Sequence, residues 1–401
     1  MKRIVWCVAV MMLLVCVGAW ALAEEEVYSD GDYEYVLLED GSAKITGCLN
    51  MGSSIEFPAE LEGHPVSSIG EIRFDTGSQL ECVTIPDSVT DIGINPFFEC
   101  DSLKTIKVSP DHPTLALIDG VLFDKTEKRL LCYPAGLEEP SYDIPQGIAA
   151  IADGAFGSCE NLERVTIPDS VTGIGERAFG YCSCLRELSI PATVTSIGDY
   201  AFMACDSLVN VTLPEGITAI GEGTFLDCSG LEKVILPEGV TSIGEKAFRS
   251  CGSLAQIHLP DGITGIGGDA FWGCGLTSVT VPQGVIFLAG GTFAMCAELE
   301  DVSLPENLTA IGDKAFELCE SLQSIVLPDG LVSIGEGAFG GCFSLSDITI
   351  PGSVSSIGDG AFKACPEDLT LTVERDSYAS DYARDNGIEY AYEDADDWLN
   401  E

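Results

Sequence analysis

The chain has 401 residues, 46% of them apolar, so it can bury a large core, and its 44 glycines and 19 prolines fall short of the share that marks low-complexity disorder. Lys and Arg number 19 against 64 Asp and Glu. The resulting formal charge of −45 repels phosphate backbones and anionic lipid surfaces, which excludes nucleic-acid and peripheral membrane binding.

Lys2-Arg3, an apolar run from Ile4 to Ala23 and the small-residue site Ala21-Leu22-Ala23 ahead of Glu24 have the layout of a signal peptide, residues 1–23, cleaved after Ala23. The run of 20 residues is also long enough to remain as an uncleaved anchor, and either way the body lies outside the cell. Cys16 makes no lipoprotein site, because Val15 stands where a small residue is needed. Residues 24–62 read as an N-terminal β cap, with the arms Tyr33 to Leu38 and Ala43 to Thr46 around Asp40-Gly41.

From 63 to 375 one unit repeats. Phe156, Phe179, Phe202, Phe225, Phe248, Phe271, Phe293, Phe316, Phe339 and Phe362 are 23 residues apart, except for one step of 22 after Phe271, and Phe74 and Phe97 are earlier copies. A fixed period of this size specifies a solenoid, in which each coil covers its neighbour's apolar face. Within the unit from Ala155 to Gly175, Val165 and Ile167 face one way and Arg164 and Thr166 the other, which is a short strand ended by Pro168. Val171 and Ile174 form a second apolar pair, Gly175 permits a bend, and Ala178 to Cys182 suits one helical or 3₁₀ turn. The fold class is therefore mainly β: a solenoid of 23-residue coils with a parallel sheet, short helical turns and terminal caps. Thirteen strand copies at ~4.8 Å each predict a parallel sheet of about 60 Å.

The pattern Ala-Phe-x-x-Cys-x-x-Leu-x-x-Val-x-Leu-Pro-x-x-Val-x-x-Ile-Gly resembles the BspA-type leucine-rich repeats of bacterial surface proteins. An insertion at about 110–140, with Asp119 to Phe123 and Leu130 to Gly136, is similar to one common in that family and reads as a hairpin on the solenoid. The resemblance implies a right-handed leucine-rich-repeat coil and a role in adhesion. Residues 376–401 form a C-terminal cap: a short helix from Ser377 to Asn386 closed by Gly387, a strand to Tyr392 and an acidic tail.

One position in eleven coils, from Cys100 and Cys159 to Cys365, is cysteine. Equivalent side chains lie within disulfide range, but eleven is odd and a metal site wants clustered ligands, so the pattern reads as a buried ladder of thiols. Of three histidines, His64 and His112 fall in the cap and the insertion, where surface turns are the default. His258 faces outward near Ser278, but a triad would need Asp301, two strands or about 9–10 Å away. The reading is no enzyme, no cofactor and no metal.

The outward strand positions are rich in hydroxyls. Ile235 and Val326 interrupt them, and with Lys233, Gln256, His258, Thr280 and Asp301 they form a candidate contact patch, although strand propensity alone also favours Thr, Val and Ile there. Trp272, just after the repeat phenylalanine, is a second candidate contact, although packing on its neighbour is the favoured reading. The expected function is an exported, non-catalytic binding and adhesion scaffold. The resemblance implies as partners host matrix or cell-surface proteins, or other microbial surface molecules. The alternatives are a structural component of an envelope or secreted assembly, and a carbohydrate-active or hydrolytic enzyme, for which the chain lacks a further domain of sufficient size.

Overall fold

The structure, a computed structural model, describes residues 26–49, 52–70, 72 and 79–393. The signal segment, Phe74 and the acidic tail beyond residue 393 lie outside the described residues. The molecule is a solenoid of parallel short strands whose buried side chains form one cluster from Tyr35 to Ala383.

Each coil has three sides. On the first, Arg164–Thr166 is a strand with Val165 buried between two exposed neighbours, and it pairs Arg164 with Glu187, Val165 with Leu188 and Thr166 with Ser189. The offset of 23 equals the sequence period, so every row stacks equivalent positions. Pro168, which has no N–H to donate, follows this strand. The second side carries a strand the sequence reading missed: Gly173–Ile174 pairs in parallel with Ser196–Ile197, and such two-residue strands recur in most coils. Two residues are too few to display a period of two.

The third side corrects the expected helical or 3₁₀ turn. Alternate residues bond within the coil and to the next one: Gly180 N–H donates to Arg177 O at 2.9 Å and Cys182 N–H to Phe179 O at 3.2 Å, whereas Phe179 N–H reaches Ala201 O at 2.8 Å and Tyr181 N–H reaches Met203 O at 2.7 Å. A helix would direct all of these bonds inward. The alternation is possible because Arg177 (φ 49°) and Tyr181 (φ 62°) are left-handed, and equivalent pairs, such as Lys314 and Leu318, recur along the chain.

The phenylalanines form a continuous stack from Phe156 to Phe362, with ring centroids 4.9–5.7 Å apart and planes within 14° of parallel. Each buried ring contributes about 2–3 kcal/mol. Tyr133 of the insertion continues the stack at 5.5 Å, and Tyr382 closes it edge-on against Phe362. The cysteines are buried beside the rings. The Sγ–H of Cys182, Cys205, Cys228 and Cys251 donates to the carbonyl of Phe156, Phe179, Phe202 and Phe225 at 3.0–3.2 Å, and later coils repeat the bond. Burial pushes the thiols of Cys205, Cys228 and Cys251 up, and that of Cys296 to about 12, so these stay protonated donors.

The first row is parallel throughout the repeats but is divided into separate ladders. Its ladders are short, and residues 256–258 and 324–326 keep the in–out alternation without pairing. The turn Cys274-Gly275-Leu276 is one residue short, which offsets the strand after 256–258; nothing in the structure explains the second gap. The second row breaks between Gly265–Ile266 and Phe287–Leu288, and here the cause is visible. Most coils place glycine after the second-row apolar residue, because a Cβ there would lie 2.4 Å from Glu176 N (Gly198), Glu245 N (Gly267) or Asp313 N (Gly335). Ala289 carries that Cβ, and the ladder stops at it.

The insertion is an antiparallel meander, Leu115–Ile118, Val121–Asp124 and Arg129–Cys132, whose last strand joins the second row at Ala150–Ile151. His112, expected in a surface turn, is fully buried. Its Nδ1 accepts from Leu115 N–H at 3.0 Å and Thr114 N–H at 3.3 Å, so Nε2 carries the proton and donates to Pro86 O at 3.2 Å. The ring fastens the insertion to the preceding coil. At the C-terminus, the helix Tyr378–Asn386 is N-capped by Ser377, whose side chain accepts from Ser380 N–H, and ends at Gly387 in the left-handed conformation.

Candidate binding face

The first-row strands present every second side chain to solvent, as in Asn210–Thr212, Lys233–Ile235 and Ser278–Thr280. Prolines and turns on either side gather the carboxylates away from this face. Of the twelve outward positions from Asn210 to Val326, only Asp301 is acidic.

Lys233, Ile235, Gln256, His258, Thr280, Asp301 and Val326 all lie on this face, spread over five successive coils. Ile235 is 44% exposed and Val326 84%. His258 Nε2 lies 3.9 Å from Glu238 Oε1 in the turn of the preceding coil, and both side chains are largely exposed. Asp301 is in register with Ser278, two coils from His258, so the three do not assemble as a triad. Trp272 is not brought to this face. It sits half-buried on the turn side beneath the Arg249 guanidinium, 4.0 Å from the ring centroid, and Arg249 is in turn ion-paired to Asp269.

The sequence reading missed a cleft further along the same face. It encloses about 350 Å³ and is lined by Arg164, Val165, Thr166, Arg186, Glu187, Leu188, Ser189 and Asn210. It lies over the paired strands Arg164–Thr166 and Glu187–Ser189 and borders a seam: both strand rows stop pairing between the coil containing Glu187–Ser189 and Ser196–Ile197 and the coil containing Asn210–Thr212 and Ala219–Ile220. The turn side stays bonded, with Tyr200 N–H on Glu222 O at 2.7 Å and Phe202 N–H on Thr224 O at 2.9 Å. Leu188, Ile190 and Ile197 are therefore half-buried where Val165, Ile167 and Ile174 are buried. Adjacent arginines in consecutive coils, in a chain so poor in cations, were the available signal.

A second exposed apolar group, Ile286, Phe287 and Val332, lies on the second row, where other coils place threonine and small residues. No group of three or more His, Cys, Asp or Glu among the described residues could hold a metal ion, and no helix among them is long and apolar enough to cross a membrane.

A comparison with curated proteins finds no match. Among solved structures, a leucine-rich repeat protein from Bacteroides ovatus is 24% identical, covering 91% of this chain and 99% of its own, with a TM-score of 0.48. A leucine rich cell surface protein from Faecalibacterium prausnitzii is 27% identical over 92% and 99%, with a TM-score of 0.44. The pneumococcal vaccine antigen PcpA is 15% identical over 92% and 98%, with a TM-score of 0.30. The family model for the BspA type leucine rich repeat region matches residues 46–130, 132–254, 174–297 and 241–369. That span takes in the phenylalanine stack, the thiol ladder and both strand rows, and the chain belongs to the BspA-type leucine-rich repeat family.

Proposed function

We propose that this chain is an exported, non-catalytic scaffold that binds a protein partner through its first-row strand face and so attaches its cell to host matrix, host cells or other microbes. The observation that carries the reading is the scarcity of carboxylates on the stretch of that face from Asn210 to Val326, where Asp301 alone is acidic among the outward strand positions, in a chain of charge −45. A face so cleared meets a partner without the repulsion that the turns would impose. Ile235 and Val326 supply exposed apolar anchors, and Lys233, Gln256 and His258 supply polar contacts between them. Export rests on the signal read at residues 1–23, and the adhesive role on the resemblance of the repeat to those of bacterial surface proteins.

The test is binding of the chain from residue 24 to immobilised matrix proteins, host cells and other microbes, followed by Ile235→Asp and Val326→Asp. Saturable binding that falls about tenfold or more in either variant, with the circular dichroism unchanged, supports the face. Binding that survives both substitutions overturns it. Co-fractionation with an envelope layer, without capture of any external partner, turns the reading towards a structural component.

A further inference from the structure

The seam suits a ligand of a different kind from a protein partner. At about 350 Å³ the cleft falls in the lower range of small-molecule sites, and it lies on the paired strands Arg164–Thr166 and Glu187–Ser189, with Asn210 across the seam at one side. Two guanidinium groups, Arg164 and Arg186, line it and also line a neighbouring hollow of about 230 Å³ beside Pro140 and Ser141. Neither is ion-paired or hydrogen-bonded through its side chain to another described residue, whereas Arg177, Arg249 and Arg384 all are. Two free planar forks on adjacent coils match a carboxylate.

The rest of the lining narrows the ligand. Leu188, half-exposed by the seam, offers an aliphatic surface, and Thr166, Asn210 and Glu187 supply both donors and acceptors around it. Hydroxyl groups use both kinds. A Glu187 carboxylate beside the arginines repels a polyanion or an acidic peptide but accepts a bond from a sugar hydroxyl. The charge of −45 acts the same way at longer range and selects a ligand with few negative groups.

We propose that the cleft binds a short saccharide carrying one carboxylate, a uronic acid unit held by Arg164 and Arg186 with its ring against Leu188. This site is separate from the patch at Ile235 and Val326 and stands or falls without it.

The probes are cellobiouronic acid and cellobiose, which differ in the carboxylate alone, titrated calorimetrically into the chain from residue 24. The acid binds saturably, and the neutral disaccharide binds about tenfold or more weakly, as expected for one charge-assisted pair of bonds. Arg164→Ala and Arg186→Ala each lose about tenfold, Arg164→Lys loses less, and Lys363→Ala, on a remote turn, binds like the parent. Circular dichroism confirms that each variant folds. Equal binding of the two sugars, no binding of the acid, or acid binding indifferent to both arginines overturns the proposal. Tighter, arginine-dependent binding of an Asp-rich hexapeptide also overturns it and makes the cleft a peptide site.

Discussion

Gly335→Ala tests whether glycine is required by the approach of coils rather than by backbone conformation. A Cβ at Gly335 would lie 2.4 Å from Asp313 N and 2.5 Å from Gly312 C, both backbone atoms that cannot step aside singly. To reach ordinary contact the coil must move by about 1 Å, which breaks the bond from Gly335 N–H to Ile311 O, now 2.8 Å, and loosens the pairing of Ser333–Ile334 with Ala310–Ile311. Two bonds at about 1 kcal/mol each, with about 1–3 kcal/mol of overpacking and less about 0.5–1 kcal/mol from a stiffer unfolded chain, give a destabilisation of about 2–4 kcal/mol. Urea unfolding reads the global loss, and amide exchange at 333–335 reads the local opening. The reverse change, Ala289→Gly, removes the obstacle at the existing break, so exchange at 286–289 slows and stability rises by about 1 kcal/mol. A Gly335→Ala protein within about 0.5 kcal/mol of the parent, with unchanged exchange at 333–335, refutes the reasoning.

The thiol ladder makes the fold alkali-sensitive. Burial raises the folded thiols of Cys205, Cys228 and Cys251, and those of Cys296 to about 12 and Cys365 to about 11, so above the ordinary thiol pKa of about 9 the unfolded chain releases protons that the folded chain retains. Their stabilisation is complete below that pH and is lost as pH rises towards 12; a urea midpoint that is flat from pH 8.5 to 11 contradicts this. His112→Ala leaves Thr114 N–H, Leu115 N–H and Pro86 O without the ring and destabilises by about 2–4 kcal/mol, with proteolysis appearing first in residues 110–137. A nicking pattern unchanged from the parent argues against that role. Met295→Gly, at φ 58° on an exposed turn, stabilises by about 0.5–1 kcal/mol, because an L side chain in that conformation is strained more than glycine loses in entropy. A lower thermal midpoint counts against strain at that position.

The repeat made the solenoid legible because its period is also its register: Val165 meets Leu188 and Phe156 meets Phe179 through the same 23 residues. The outward face was legible for the same reason, since alternation about Val165, Val211 and Val234 needs only three residues to declare itself. Other features were hidden because they depend on contacts between coils. Gly173–Ile174 is a strand through its partners rather than its pattern. Alternating bonds on the turn side depend on left-handed Arg177 and Tyr181, residue types that announce nothing of the kind. His112 looked like a turn residue until the insertion folded back over Pro86. The cleft at Arg164 and Arg186 borders a seam where pairing fails, and local sequence carries little information about a bond not made.

The strand Glu389–Tyr392 forms the last rung of its ladder and has no strand beyond it among the described residues. Such an open rim invites a second molecule to add its own backbone, and a repeat of identical pitch would extend it indefinitely. Glu389 on that rung confronts any newcomer with negative charge. At the other end of the described residues, Val27–Ser29 pairs antiparallel with residues 34–36. The exposed Glu389 carboxylate discourages such growth at the C-terminal rim.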